Sequence, residues 1–258
     1  CRWFDSAPGH QIKSRRNFRF CGFFHGQASK PSGDNCGMQL SVQTPRKFLN
    51  PLLSQKSIVS SEFDAFKAAL GKYVQDVQQQ TVTKQTEPNI VTNALKPFMD
   101  QLGYTSQAYS QNGQSGGIDL AIMKANAVSV IIEAKKVGSK EMITQHDLNH
   151  KAFHEAIFYF MRERDKGNDA LTHIVITDFY EWFVFDAKDF DRLFWRNTQL
   201  QKKFKAYHAP NLLTKSTAEV YAAIEVELPK ILADLITEES IGCAYFNVAA
   251  DRKSTRLN

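Results

Sequence analysis

The sequence predicts an α/β fold, with a central mixed sheet of four to five strands flanked by helices, and three observations carry that expectation. Apolar residues recur at helical spacing up to Gly103. Two apolar runs around Ile118–Ile122 and Val128–Ile132 then adjoin across a short polar interruption, the pattern of neighbouring strands. A long aromatic-rich helical stretch next leads into Thr172–Thr177, a nearly continuous apolar run typical of a strand covered on both faces.

In chain order, Met38 opens the first stretch with helical periodicity and is the expected start. From Ser61, the residues Phe63, Phe66, Leu70, Tyr73, Val74 and Val77 recur at three and four residues, an amphipathic helix with Ser60 or Ser61 as N-cap. Gln78–Thr86 has no apolar period and reads as a connector. A second helix is expected from Pro88, favoured in a first turn, through Ile90, Val91, Leu95, Phe98 and Leu102 to Gly103, with a kink at Pro97. Tyr104–Tyr109 reads as a strand and Gln111–Gly117 as a glycine-rich loop.

Strands at roughly 117–123 and 128–135 form an antiparallel hairpin, because only Lys124-Ala125-Asn126-Ala127 joins them. A three-residue loop at 125–127 sets a register in which Asp119 lies opposite Glu133, and a slip of one residue would separate their faces. A long helix is expected at roughly Gln145–Asp165, closed by Lys166-Gly167. The strand Thr172–Thr177, a partner or edge strand Glu181–Asp186, and helices near 188–206 and 217–235 complete the reading.

Both ends differ from the middle. Asp251–Asn258 reads like a translated sequencing adapter, and residues 1–37 hold three of the four cysteines and six Lys/Arg against Asp5 and Asp34. The expected organisation is an untranslated or artefactual leader at 1–37, a helical segment and connector at 38–86, a core at 87–187, helices at 188–250 and an artefactual tail at 251–258. With both ends set aside, the chain's net charge of +5 falls to −1, so global basicity does not argue for nucleic acid. Polyanion contacts must then come from local clusters such as Lys135, Lys136 and Lys140, or Lys202, Lys203 and Lys205. Only Cys243 remains in the core, which implies a reducing cytoplasm, and no run approaches the ~20 apolar residues of a membrane span.

The chemistry concentrates between Asp119 and Lys135. Residues two apart on a strand share a face, so Glu133 and Lys135 point together while Ala134 faces the other side. Charges beside the Ile131-Ile132 run are costly to bury unless they pair or bind a metal. Two carboxylates, Asp119 and Glu133, supply hard oxygen ligands of the type Mg²⁺ takes. His146, His150 and His154 fall on one helical stripe but lack a His-Glu-x-x-His pattern, and a packed or surface stripe is the expected account. Trp182, Phe183 and Phe185 are expected in the core, and Lys202, Lys203 and Lys205 on a solvated helix face.

With Asp119 on one strand, Glu133-Ala134-Lys135 at the end of the next, and the order helix, three strands, helix, strand, the stretch from Pro88 to Asp186 resembles the PD-(D/E)xK nuclease superfamily. Ile118 stands where the motif's Pro would be. The resemblance implies a restriction-endonuclease-like core at 87–187 in which Asp119 and Glu133 hold Mg²⁺ with the Ala134 carbonyl, and Lys135 orients or deprotonates water. As a base, Lys135 would need a depressed pKa. It also implies duplex DNA as substrate, with Lys136, Lys140 and Gln145 as contacts.

The segments Pro45–Pro51, His150–Glu155 and Thr177–Asp186 are similar to the N-terminal region of fused type IIG restriction and modification enzymes. That likeness implies methyltransferase and target-recognition domains beyond Ala250. A junction-resolving or repair nuclease and a non-catalytic DNA-binding module are the alternative readings.

Overall fold

The computed structural model describes residues 40–43, 57, 59–109, 117–208, 217–233, 235 and 241–249. Its centre is a mixed seven-stranded sheet. In chain order the strands are β1 (Ser41–Gln43), β2 (Thr105–Tyr109), β3 (Ile118–Lys124), β4 (Ala127–Ala134), β5 (His173–Thr177), β6 (Glu181–Asp186) and β7 (Gly242–Asn247). Across the sheet they run β1-β7-β6-β5-β4-β3-β2, with β1/β7 and β4/β5 parallel and all other pairs antiparallel.

The expected four to five strands are thus seven among the described residues. β1, a three-residue polar strand, lies where helical periodicity was expected to begin, and β7 follows the last helix. Neither shows the alternation that marks a half-buried strand, because β1 is a short edge and β7 is largely covered. Both come from outside residues 87–187.

Helices cover both faces. α1 (Ser60–Val82), α2 (Glu87–Ile90), α3 (Lys96–Gln101) and the turn Val91–Leu95 between the last two pack Tyr73, Val77, Ile90, Leu95 and Phe98 on Leu120, Ile132, Trp182 and Val184. On the other face, α4 (Lys151–Asp165), α5 (Ala187–Phe190), α6 (Thr198–His208) and α7 (Thr217–Ala233) enclose Ala121, Ile131, Ile174, Ile176, Phe183 and Phe185. Trp182, Phe183 and Phe185 are all buried: alternation alone would place only half of them in a core, but helices cover both faces of β6. Among the described residues no helix is long and apolar enough to cross a membrane.

Several boundaries moved for identifiable reasons. α1 runs through the polar Gln tract to Val82, because Gln is a good helix former and an exposed last turn needs no apolar period. Pro97 has no N–H to donate back along the helix, and the stretch before it, Val91–Leu95, becomes a π-helical turn in which the Lys96 N–H reaches the Val91 carbonyl. α4 starts at Lys151 rather than near Gln145. Thr144 Oγ1 accepts the Asp147 N–H at 3.0 Å and Asp147 Oδ1 accepts the Asn149 N–H at 2.8 Å, so local side chains satisfy this backbone in place of a helix. Only His154 of the three histidines lies on α4, and the expected stripe does not form. The helix expected at 188–206 breaks before Thr198, where Asn197 Oδ1 accepts the Gln199 and Leu200 N–H groups, both at 3.0 Å.

The β3–β4 hairpin has the expected register by an unexpected route. Its turn has two residues, Ala125 and Asn126, both at positive φ (49° and 66°), the geometry of a type I′ turn. That shorter turn alone would shift the register, since Met123 pairs with Val128. A bulge at Ser129 then adds one residue to β4 and restores Ile122 opposite Val130 and Leu120 opposite Ile132. The expected loop Gln111–Gly117 lies, up to residue 116, outside the described residues.

Three stability outcomes follow. Phe153 is fully buried, with ring centroids 5.4 Å from Phe185 and 5.5 Å from Phe190, so Phe153→Ala should cost about 3–5 kcal/mol in denaturant unfolding. Val226→Ala, at a site 59% exposed, should stay within about 0.5 kcal/mol. Ala125→Gly relieves a left-handed conformation, and the same measurement should show a gain of up to ~1 kcal/mol.

Candidate functional site

The adjoining ends of β3 and β4 bring the predicted residues together. The Leu120–Ile132 and Ala121–Ile131 pairings place Asp119 beside the end of β4, and the side chain takes over where the backbone ladder stops: Asp119 Oδ2 accepts the Ala134 N–H at 2.8 Å. Parity puts Asp119, Glu133 and Lys135 on the α4 side, the face of Ala121 and Ile131. Ala134 packs on the opposite face with Trp182 and Val184. Because the N–H and C=O of an extended residue leave the same strand edge, the Ala134 carbonyl also opens toward Asp119.

Lys135 is the hub. Its ammonium lies 2.5 Å from Glu133 Oε1, 2.7 Å from Glu155 Oε2 and 3.8 Å from Glu87 Oε1. Glu155 comes from α4 and Glu87 from the first turn of α2, so the helical layers of both faces meet at this one cation. Glu87 also accepts the Lys136 N–H through Oε2 at 2.9 Å. Both Glu133 and Lys135 are buried, at 2% and 4% exposure, and among the described residues Glu133 Oε2 has no hydrogen-bond partner.

The electrostatics follow from four carboxylates sharing one ammonium. Burial, with lesser contributions from Glu87 and Glu155, raises Asp119 from 3.8 to about 6 against the opposing Ala134 N–H and Lys135. Glu133 is held well above the usual carboxylate range by burial first and by Asp119 second. Burial alone would lower Lys135, but Glu133 and Glu155 outweigh it and the net shift is upward. In this arrangement Lys135 stays an ammonium, suited to fixing an oxygen atom rather than to removing a proton. Tyr159, buried on α4, is raised by burial and then by the charge of Glu133.

A divalent cation can be assessed against these donors. Among the described residues no three or more His, Cys, Asp and Glu side chains form a ready cage for a metal ion. Mg²⁺ commonly uses only one or two carboxylates and keeps several waters. Asp119, Glu133 and the Ala134 carbonyl match that chemistry, and the partnerless Glu133 Oε2 is the buried acceptor such an ion would satisfy.

The remaining candidates are dispersed. Lys136 and Lys140 are exposed on the segment leaving β4, which turns at Gly138 (φ 74°). Gln145 lies before α4, hydrogen-bonded to Tyr245. Tyr245 stands opposite Phe183, Phe183 opposite Ile176 and Ile176 opposite Glu133. At a strand spacing of ~4.8 Å, Tyr245 is thus roughly 14 Å from Glu133. His150 pairs with Asp147 at 3.2 Å and His154 with Asn149 at 2.8 Å, away from any shared ligand position. Lys202, Lys203 and Lys205 are exposed on α6.

Glu155 and Glu87 were not anticipated. Glu155 carried a signal, since it lies among Ala152, Phe153, Ala156 and Tyr159 on the apolar side of a helical repeat. Glu87 carried none, because its partners are about 50 residues away and reach it only through the tertiary fold.

No curated protein and no solved structure matches this chain. The profile of a family described as a domain of unknown function, DUF7149, matches residues 43–258, and the chain belongs to that family.

Proposed function

We propose that this chain carries a Mg²⁺-dependent endonuclease domain that hydrolyses phosphodiester bonds of duplex DNA. The reading includes a restriction-endonuclease-like core and places the chain as the cleavage module of a type IIG-like restriction and modification enzyme. The carrying observation is the meeting of Asp119, Glu133 and Lys135 at adjoining strand ends, with a buried Glu133 oxygen left without a partner.

Asp119, Glu133 and the Ala134 carbonyl would hold Mg²⁺. When bound, such an ion stabilises phosphate charge and lowers the pKa of a coordinated water. Lys135, kept cationic by Glu133 and Glu155, positions the attacking oxygen or a phosphate oxygen by donating hydrogen bonds. The family likeness would leave a 5′-phosphate and a 3′-hydroxyl. Lys136 and Lys140 would meet flanking phosphates, with Gln145 further along the same end of the sheet. Methyltransferase and target-recognition domains elsewhere in the same polypeptide, and a cytoplasmic location, belong to this proposal.

Mg²⁺-dependent cleavage of duplex DNA by the full chain should fall roughly 10²–10³-fold in Glu133→Gln and in Lys135→Ala, the scale of losing one group that stabilises developing charge. Thermal melts run alongside separate this from unfolding, because Lys135→Ala leaves buried carboxylates without their cation. Equal cleavage by all three proteins would sink the mechanism and favour a non-catalytic module.

The pH dependence has a fixed sign. Folding raises the pKa of Asp119, so its contribution to stability is complete below about 4 and is lost as pH rises through about 6. In Mg²⁺-free buffer, wild type should therefore lose thermal stability relative to Asp119→Asn between about pH 4 and pH 7. Added Mg²⁺ should restore it above about pH 6, where the carboxylate is ionised, and far less below that. A melting difference independent of pH would contradict the shifted carboxylate.

A further inference from the structure

We infer that Glu87 is a positioning residue for this site, acting on the end of β4 through the Lys136 backbone N–H rather than as a metal ligand; the inference rests on the nuclease reading above. The two carboxylate oxygens of Glu87 divide their work. Oε2 accepts the Lys136 N–H at 2.9 Å, while Oε1 stays 3.8 Å from the Lys135 ammonium, beyond ordinary hydrogen-bond range. The closer partners of Lys135 are Glu133 and Glu155, at 2.5 and 2.7 Å.

The contact falls where β4 loses its backbone partners. Ala134 still pairs with Thr177, and the Lys135 N–H still reaches the Thr177 carbonyl at 2.8 Å. The Lys136 N–H is then taken up by a side chain from the opposite helical layer, before the chain turns through Ser139 and Gly138, whose φ is 74°. Glu87 can make this contact because it stands in the first turn of α2, next to Pro88, while that helix is anchored in the core by Ile90, Val91 and Leu95. The Glu87 carboxylate reaches from this helix to the strand exit. Holding the Lys136 amide fixes where β4 ends, and with it the point from which Lys135 projects and the exposed Lys136 departs.

A carbonyl oxygen can accept the same amide proton, and this separates positioning from ligation. In the full chain, Glu87→Gln keeps an acceptor for the Lys136 N–H and should retain Mg²⁺-dependent cleavage within ~3-fold. Glu87→Ala leaves that amide unheld and should lower kcat by about 10-fold or more, with KM for DNA and the Mg²⁺ concentration for half-maximal rate unchanged. Amide hydrogen exchange supplies a readout that needs no activity: exchange at Lys136 should quicken in Glu87→Ala and stay near wild type in Glu87→Gln.

A Glu87→Gln as impaired as Glu87→Ala, with a raised Mg²⁺ requirement, would overturn the proposal by making Glu87 a ligand. Wild-type cleavage and exchange in Glu87→Ala would overturn it as well. If wild type shows the expected exchange pattern across the variants but never cleaves DNA, the nuclease reading fails while the strand clamp stands.

Discussion

One buried ammonium gathers the charged groups at the end of β4. β4 is sealed on both faces along most of its length, so its charged residues are tolerable only at its end, where partners can reach them. Lys135 finds Glu133 on its own strand, Glu155 on the helix packed against one face, and Glu87 on the helix of the other face. Two helical layers that do not meet through the sheet are thereby tied to the same atom. A buried ion cluster of this kind is a poor source of net stability, because desolvation offsets most of its Coulomb gain. What it confers is position: Glu133 and Glu155 are held on the ammonium at 2.5 and 2.7 Å.

The cluster carries more acid than base, and this is its chemical content. Burial raises both Asp119 and Glu133, Glu133 further through the charge of Asp119 and Asp119 through those of Glu87 and Glu155, so the site resists a full set of carboxylate charges. The partnerless Glu133 oxygen is the local form of that imbalance. Lys135 is shifted the opposite way from a catalytic base, which within the proposed reaction favours hydrogen-bond donation over proton removal.

The register of the β3–β4 hairpin shows how a correct expectation can be reached by compensation. A three-residue loop was expected; a two-residue I′ turn formed, because Ala125 and Asn126 both adopt positive φ. The bulge at Ser129 added back the missing residue, and Leu120 faces Ile132 as expected. Strand parity is insensitive to where the extra residue is placed, provided it lies between the turn and the site. The same insensitivity does not extend to helix ends. Thr144, Asp147 and Asn149 bind their own backbone and delay α4 to Lys151, which carries Gln145 away from the carboxylates and dissolves the histidine stripe.

The sequence by itself determined the periodic elements and the Asp119, Glu133, Lys135 core of the site, since alternation on a strand and spacing along a short hairpin are local properties. It also implied that the aromatic residues of β6 would be buried. Only the tertiary structure decided the breadth of the sheet, because β1 and β7 are recognisable as strands only when paired with each other and with β6. It alone decided which groups surround Lys135, since Glu87 and Glu155 arrive from different helices across long sequence separations. A charge's partners are set by packing in space, whereas the face a residue occupies is set by its neighbours in the chain, and the line between what was legible and what was not follows that distinction.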